Sequence, residues 1–170
     1  MDWPKSSFRS STFRLIMENN LYDINLVADY IISKNESSIM HFKLQKLLYY
    51  IQSWSLGILG KPLFNGDFEA WVHGPVCKKI YDRFGSLYSF ISKEEDTETK
   101  KIIHKRDIEF IDYVLDNYMS FSDIELEYLI KQETPWKKTR EGFDPMDKCD
   151  RIIPKDLIKK FYTKKWKEIN

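Results

Sequence analysis

Three histidines (His41, His73, His104) and two cysteines (Cys77, Cys149) are the residues of this chain best suited to nucleophilic or proton-transfer chemistry. Their spacing does not assemble a site. No HExxH, HxH or GxSxG context surrounds them, and neither cysteine has a CxxC partner or a histidine at ligand spacing, so no metal site and no disulfide framework is expected. His73, beside Gly74-Pro75, is the best placed histidine, and hydrogen bonding to its local backbone is expected over a role as general base. Cys77 follows Pro75 closely, near an expected helix N-terminus that would lower its thiol pKa. Without a base beside it, it reads as a small buried residue. Neither GxxxxGK[ST] nor GxGxxG occurs, which removes the usual phosphate cradles. The sequence therefore assigns no catalytic residue, no metal and no cofactor.

Charge narrows the partners. The 170 residues carry 27 Lys and Arg against 26 Asp and Glu, a formal net charge of +1, which sets up no global field for a polyanion. The one strongly basic segment is 151–167, where Arg151, Lys155, Lys159, Lys160, Lys164, Lys165 and Lys167 face Asp156 alone. A solvated helix face is the expectation there, with an anion-binding surface as the alternative. No short second helix shows the dense basic and amide face that reads DNA, so nucleic acid is not an expected partner. No run of about 18 apolar residues could span a bilayer, and the first twenty residues lack the continuous apolar stretch of a secretory signal. A cytoplasmic protein with reduced thiols is expected. Aromatic residues make up 15% of the chain, enough for a core filled by few, large side chains and for Tyr or Trp at a partner surface.

The elements that must position these residues follow from periodicity. Asp23 is placed to cap a helix with Leu26, Val27, Tyr30 and Ile31 on one stripe. From about 40 to 59 the pattern is apolar nearly all round, through Leu44, Leu47, Leu48, Ile51, Trp54, Ile58 and Leu59, which predicts a central helix. Its stripe of Lys43, Lys46, Tyr50, Ser53 and Gly57 is the face expected to see solvent or a partner. Lys46 and Lys61 are expected to pack their stems and keep the ammonium in water, with Glu69 as an ion-pair partner for one of them. Gly57, Gly60 and Pro62 end the helix. Residues 68–73 alternate in a strand-like way after the Asn65-Gly66 turn, and Pro75 suits the first turn of the next helix, which Gly85 stops. Residues 92–106 read as an exposed connection or frayed helix. A helix resumes near Asp107, Ser122-Asp123-Ile124-Glu125 fits a capping box, Thr134-Pro135-Trp136 opens a short turn, 142–150 is a loop, and Pro154 begins the last helix. The expected fold is mainly α: one domain over 21–170, about six helices around a buried central helix, with a short strand or hairpin, preceded by an extension over 1–20.

Several separated motifs resemble one family. Leu44-Gln45-Lys46-Leu47-Leu48-Tyr49-Tyr50, Gly60-Lys61-Pro62-Leu63-Phe64, Glu69-Ala70-Trp71-Val72-His73-Gly74-Pro75-Val76, Tyr81, and Glu133-Thr134-Pro135-Trp136-Lys137 are similar, in this order, to the SocA-type antitoxins, the Panacea domain, also known as phage-associated GepA-like proteins. The resemblance implies an antitoxin that binds and neutralises a protein toxin encoded by a neighbouring gene, with or without adaptor delivery to the ClpXP protease, and no enzyme activity. Carried over residue by residue, it makes Lys46, Tyr50, Trp54, Lys61, Glu69, Trp71, His73 and Trp136 the candidates for the binding platform or its scaffold, with Leu44, Leu47, Gly74, Pro75 and Tyr81 as structural positions. The alternatives are a phage or mobile-element protein that binds a host protein and, less favoured, a hydrolase using His73 or Cys77.

Overall fold

The central helix α2, His41–Trp54, organises the molecule, and every one of its residues except Lys43 is buried. A computed structural model describes residues 21–92 and 102–169. The expected extension over 1–20 and most of the charged connection after residue 92 lie outside the described residues. Helix α1, Ile24–Lys34, begins where the Asp23 carboxylate accepts a hydrogen bond from the Asn25 N–H and lays Val27, Tyr30 and Ile31 into the core. Helix α2 has no side-chain cap. Its first amides, those of His41 and Phe42, instead donate to the carbonyls of Ser89 and Leu87 at 2.9 and 2.8 Å, which satisfies donors a helix start leaves open.

After Trp54 the helix widens into a π turn, Ser55–Leu59, closed by a Gly60 N–H to Ser55 carbonyl bond and by Gly60 at φ 76°. The widening coincides with a close crossing: α7, Lys155–Ile169, rides over Gly57, where a Cβ would lie 2.6 Å from the Tyr162 Cβ. Only a glycine lets these two backbones approach this far.

Strand pairing is brief, each strand two or three residues long. β1 (Tyr22–Asp23) runs parallel to β3 (Phe64–Asn65), and β2 (Ser38–Met40) pairs antiparallel with β6 (Phe90–Ser92), neither of which the sequence foretold. The hairpin expected at 68–73 is present as β4 (Glu69–Trp71) against β5 (Gly74–Val76). Pro75 corrects the expectation made for it. It sits inside β5, and α3 (Lys78–Phe84) starts only after Cys77, because the Gly74 bend at φ 97° turns the chain into a strand first. Gly85 ends α3 as expected.

The remaining helices are α4 (Lys105–Tyr118), α5 (Asp123–Gln132), α6 (Thr134–Thr139) and α7. Ser122 and Glu125 form the anticipated capping box before α5. Seven α-helices among the described residues, one of them the short α6, give a mainly α fold with minor β structure. Leu44, Leu47, Leu48, Ile51 and Trp54 of α2 are in one core with Ile24, Ile31, Phe110, Val114, Leu126, Ile130, Ile158 and Tyr162.

Candidate functional site

The stripe of α2 expected to face solvent faces inward instead. Lys46, Tyr50, Ser53 and Gly57 are buried, and Lys43 reaches the carbonyl of Met119 at the C-terminal end of α4 with a 2.7 Å bond, where a helix end favours a cation. The polar spacing is real, but it serves the irregular segments packed around the helix. Gln45 accepts from the Cys77 N–H at 2.8 Å and donates to the Cys77 carbonyl at 3.3 Å, while its amide nitrogen lies 3.0 Å from His41 Nε2. Gln52 does the same one turn pair further on, accepting from the Leu63 N–H at 2.9 Å and donating to the Phe64 carbonyl at 2.8 Å. These two glutamines act as backbone substitutes for the excursion between residues 63 and 77, whose buried amides and carbonyls need partners.

Lys46 is the third latch and the most costly. Its side chain is 0% exposed, its Nζ donates to the Pro75 carbonyl at 3.2 Å, and it lies 4.1 Å above the Phe42 ring centroid. The expectation of an ammonium in water is therefore overturned. Desolvation pushes its pKa down to about 7, opposed by the Glu127 carboxylate and reinforced by Lys131. Gly74 is fixed by the same contact, because a Cβ there would lie 3.1 Å from Lys46 Cε and the residue holds φ 97°. His41 is buried beside this latch, with Nδ1 3.2 Å from the Ser86 carbonyl, and desolvation lowers its pKa, which keeps the ring neutral for the Gln45 bond.

The hairpin carries the exposed candidates. Glu69 pairs with neither lysine named from the sequence; its carboxylate accepts from Trp71 Nε1 at 2.6 Å. The Trp71 ring packs against Tyr81 with centroids 5.0 Å apart, and its carbonyl accepts from Trp136 Nε1 at 3.0 Å. His73, at the turn, hydrogen-bonds the Glu127 carboxylate at 3.0 Å rather than its own backbone, with 42% of its side chain exposed. Burial raises the Glu127 pKa, but bonds from His73 and Lys131 outweigh that and hold it below the usual value. No Ser, Thr or Cys side chain hydrogen-bonds His73 among the described residues. Trp71, His73, Tyr88 and Met146 border a mostly apolar groove of about 380 Å3. Cys77 is buried, and burial raises its thiol pKa, so the lowering expected from a helix start is overturned.

Tyr50, Trp54 and Trp136 are core residues. Tyr50 stacks on Tyr118 at 3.8 Å, Trp54 Nε1 donates to the Tyr118 hydroxyl at 2.9 Å, and Trp136 is 8% exposed. Near them Tyr162 donates to the buried Glu133 carboxylate at 2.6 Å and Lys165 joins it at 2.9 Å, while burial still raises the Glu133 pKa. Lys61 is half-buried beside the π turn, where its carbonyl accepts from Ser55 Oγ at 2.7 Å. The structure thus places Lys46, Gly74, Pro75, Trp71, His73 and Tyr81 around one corner and leaves Tyr50 and Trp54 in another. Sequence reasoning missed Gln52, Glu127 and above all Arg140. The buried Arg140 guanidinium donates to the carbonyls of Ala70, Asp144 and Asp147 and so ties the 142–150 loop to the hairpin. Nothing in the local pattern around Arg140 marks it, since its acceptors are all backbone. Among the described residues no group of three or more His, Cys, Asp or Glu side chains could hold a metal ion, and no helix is long and apolar enough to cross a membrane.

Residues 44–137, which include the latches, the hairpin and α6 up to Lys137, match the sequence model of the family described as antitoxin SocA-like, Panacea domain. Antitoxin SocA of Caulobacter vibrioides (strain NA1000 / CB15N) is 39% identical over 67 residues, covering 38% of this chain and 36% of that protein. The chain therefore matches about a third of the length of this curated relative. No solved structure matches significantly.

Proposed function

The chain belongs to the SocA-like antitoxin, Panacea-domain family, and from that premise we propose that it is an antitoxin that neutralises a cognate protein toxin by direct contact. The observation that carries this reading is the family match over 44–137. The geometry supports it from another side: three polar residues of the central helix, Gln45, Lys46 and Gln52, are tied to scaffold carbonyls and amides. In this reading Lys46, Tyr50, Trp54 and Trp136 hold the scaffold. Lys61, Glu69, Trp71 and His73 keep part of their surface open to solvent. The protein acts in the cytoplasm as a binding module over 21–170, without catalysis, on the product of an adjacent gene, and delivery of the bound toxin to ClpXP is a second step where it occurs.

Inducible expression of the adjacent gene's product, alone and together with this protein, tests the reading. Growth arrest by the product alone, relieved on co-expression and accompanied by a co-purifying complex, is the expected result. Relief that disappears in a host lacking ClpP assigns the protease step. A product that is harmless alone, or still toxic when this protein is present, overturns the antitoxin reading.

A further inference from the structure

We propose that the groove between α6 and α7 is the toxin-contact surface and that it receives an acidic, amphipathic segment of the partner, an inference that rests on the antitoxin reading above. The lysines of α7 divide into two sets. Lys155 pairs with Asp67, Lys159 donates to the Gly60 carbonyl and Lys165 binds Glu133, so the inward set builds the fold. The outward set does not. Lys160 and Lys167, with Lys138 across the groove on α6, make no ion pair among the described residues, and Lys164, 79% exposed, has only Glu168 at 3.6 Å. Lys160, Lys164 and Lys167 recur at helical spacing along one ridge.

Between that ridge and α6 lies a groove of about 430 Å3 whose floor includes Leu157 and Phe161, both half-buried. These two side chains, four residues apart, offer an apolar strip one turn long beside the lysines. A row of ammonium groups answered at the groove only by Glu168, on a chain of net charge +1, is complementary to a negative partner, and such complementarity sets both encounter rate and register. The apolar floor and the size of the ridge favour a protein segment over a nucleic acid. Lys160 to Lys167 spans about 10 Å at about 1.5 Å per residue, with Asp156 before it and Glu168 after it on the same helix. A short helix with Glu or Asp on one side and Leu or Phe on the other fits both the charge and the floor.

The test uses the full chain and the adjacent gene's product. K160E/K164E is compared with K105E/K148E, which changes the net charge equally at exposed positions off this groove. Calorimetry should show K160E/K164E binding at least about tenfold more weakly, with loss of growth rescue and an unchanged melting temperature, while K105E/K148E behaves as the parent. Equal binding by both variants, or a greater loss in K105E/K148E, overturns the groove and leaves the antitoxin reading standing. Should the parent chain fail to neutralise the product, the antitoxin reading falls, and a labelled synthetic peptide with a Glu face and a Leu face then decides the groove. Binding of that peptide by the parent and not by K160E/K164E supports the surface; no binding by the parent overturns it. A 20-base-pair DNA duplex bound at physiological salt in a K160E/K164E-sensitive way also overturns it in favour of nucleic acid.

Discussion

Lys46 on α2 and the outward lysines of α7 share one chemistry and meet opposite fates. Lys46 is fully buried, bonded to the Pro75 carbonyl and stripped of solvent until its pKa falls to about 7. Lys160 and Lys164 stand in water on a ridge with almost nothing to answer their charge. The same side chain is a structural latch where an irregular segment offers carbonyls, and a surface determinant where none is in reach. Within the matched family block the polar positions of the central helix are consumed by the fold.

The largest effect should come from breaking the seam where the two regions meet. Gly57→Val puts a side chain where even a Cβ lies 2.6 Å from the Tyr162 Cβ and 2.8 Å from its carbonyl carbon, so α7 must lift off the π turn. A loss of about 3 kcal/mol or more in urea unfolding is expected, at the upper end of overpacking costs. Retained stability would mean that α7 is held elsewhere. Next comes the latch. Gln45→Ala removes the acceptor of the buried Cys77 N–H and the partner of His41, with an expected cost of about 2–4 kcal/mol from unpaired polar groups and the cavity together. Gln45→Glu should not rescue it, because a carboxylate cannot donate to the Cys77 carbonyl.

Lys46→Met sharpens the comparison through pH. In the parent, the folded pKa near 7 lies below the ordinary 10.5, so between those values the unfolded chain binds more protons and stability rises with pH, by on the order of 1 kcal/mol per pH unit. Methionine removes that slope. Unfolding titrations of both proteins from pH 7 to 9, read as a difference, cancel the opposite slope that the raised Cys77 thiol adds in both. Identical slopes in the two proteins would show that Lys46 is solvated. The smallest stability effect belongs to K160E/K164E, expected within about 0.5 kcal/mol of the parent as for other exposed substitutions. A large destabilisation would place those lysines with Lys46, in the scaffold.

Much of this was legible in the sequence, and the failures have one cause. The all-round apolar pattern of 40–59 marked the central helix, and Ser122 with Glu125 and Gly85 marked caps, because those signals act locally, whereas Asn65-Gly66 gave no turn: Asn65 lies in β3, paired with β1. The π turn, the β1–β3 and β2–β6 pairings and the strand position of Pro75 depend on distant neighbours, and no local pattern carries them. The stripe of Lys43, Lys46, Tyr50 and Ser53 misled because polarity was read as exposure. Gln45, Lys46 and Gln52 are polar because the 63–77 excursion needs donors and acceptors inside the protein, a demand visible only once the excursion is folded against the helix. His73 was expected to hydrogen-bond its local backbone, but its partner, Glu127, lies 54 residues away.

Hydrogen–deuterium exchange of the full chain, with and without the adjacent gene's product, tests the central claim most directly. The account predicts that complex formation slows exchange in α6 and in residues 157–167 of α7, while β4, β5 and the latched helix α2 keep their free-state rates. Slowed exchange at residues 69–76 with α7 unchanged would contradict it, and would place the partner on the hairpin beside Trp71 and His73.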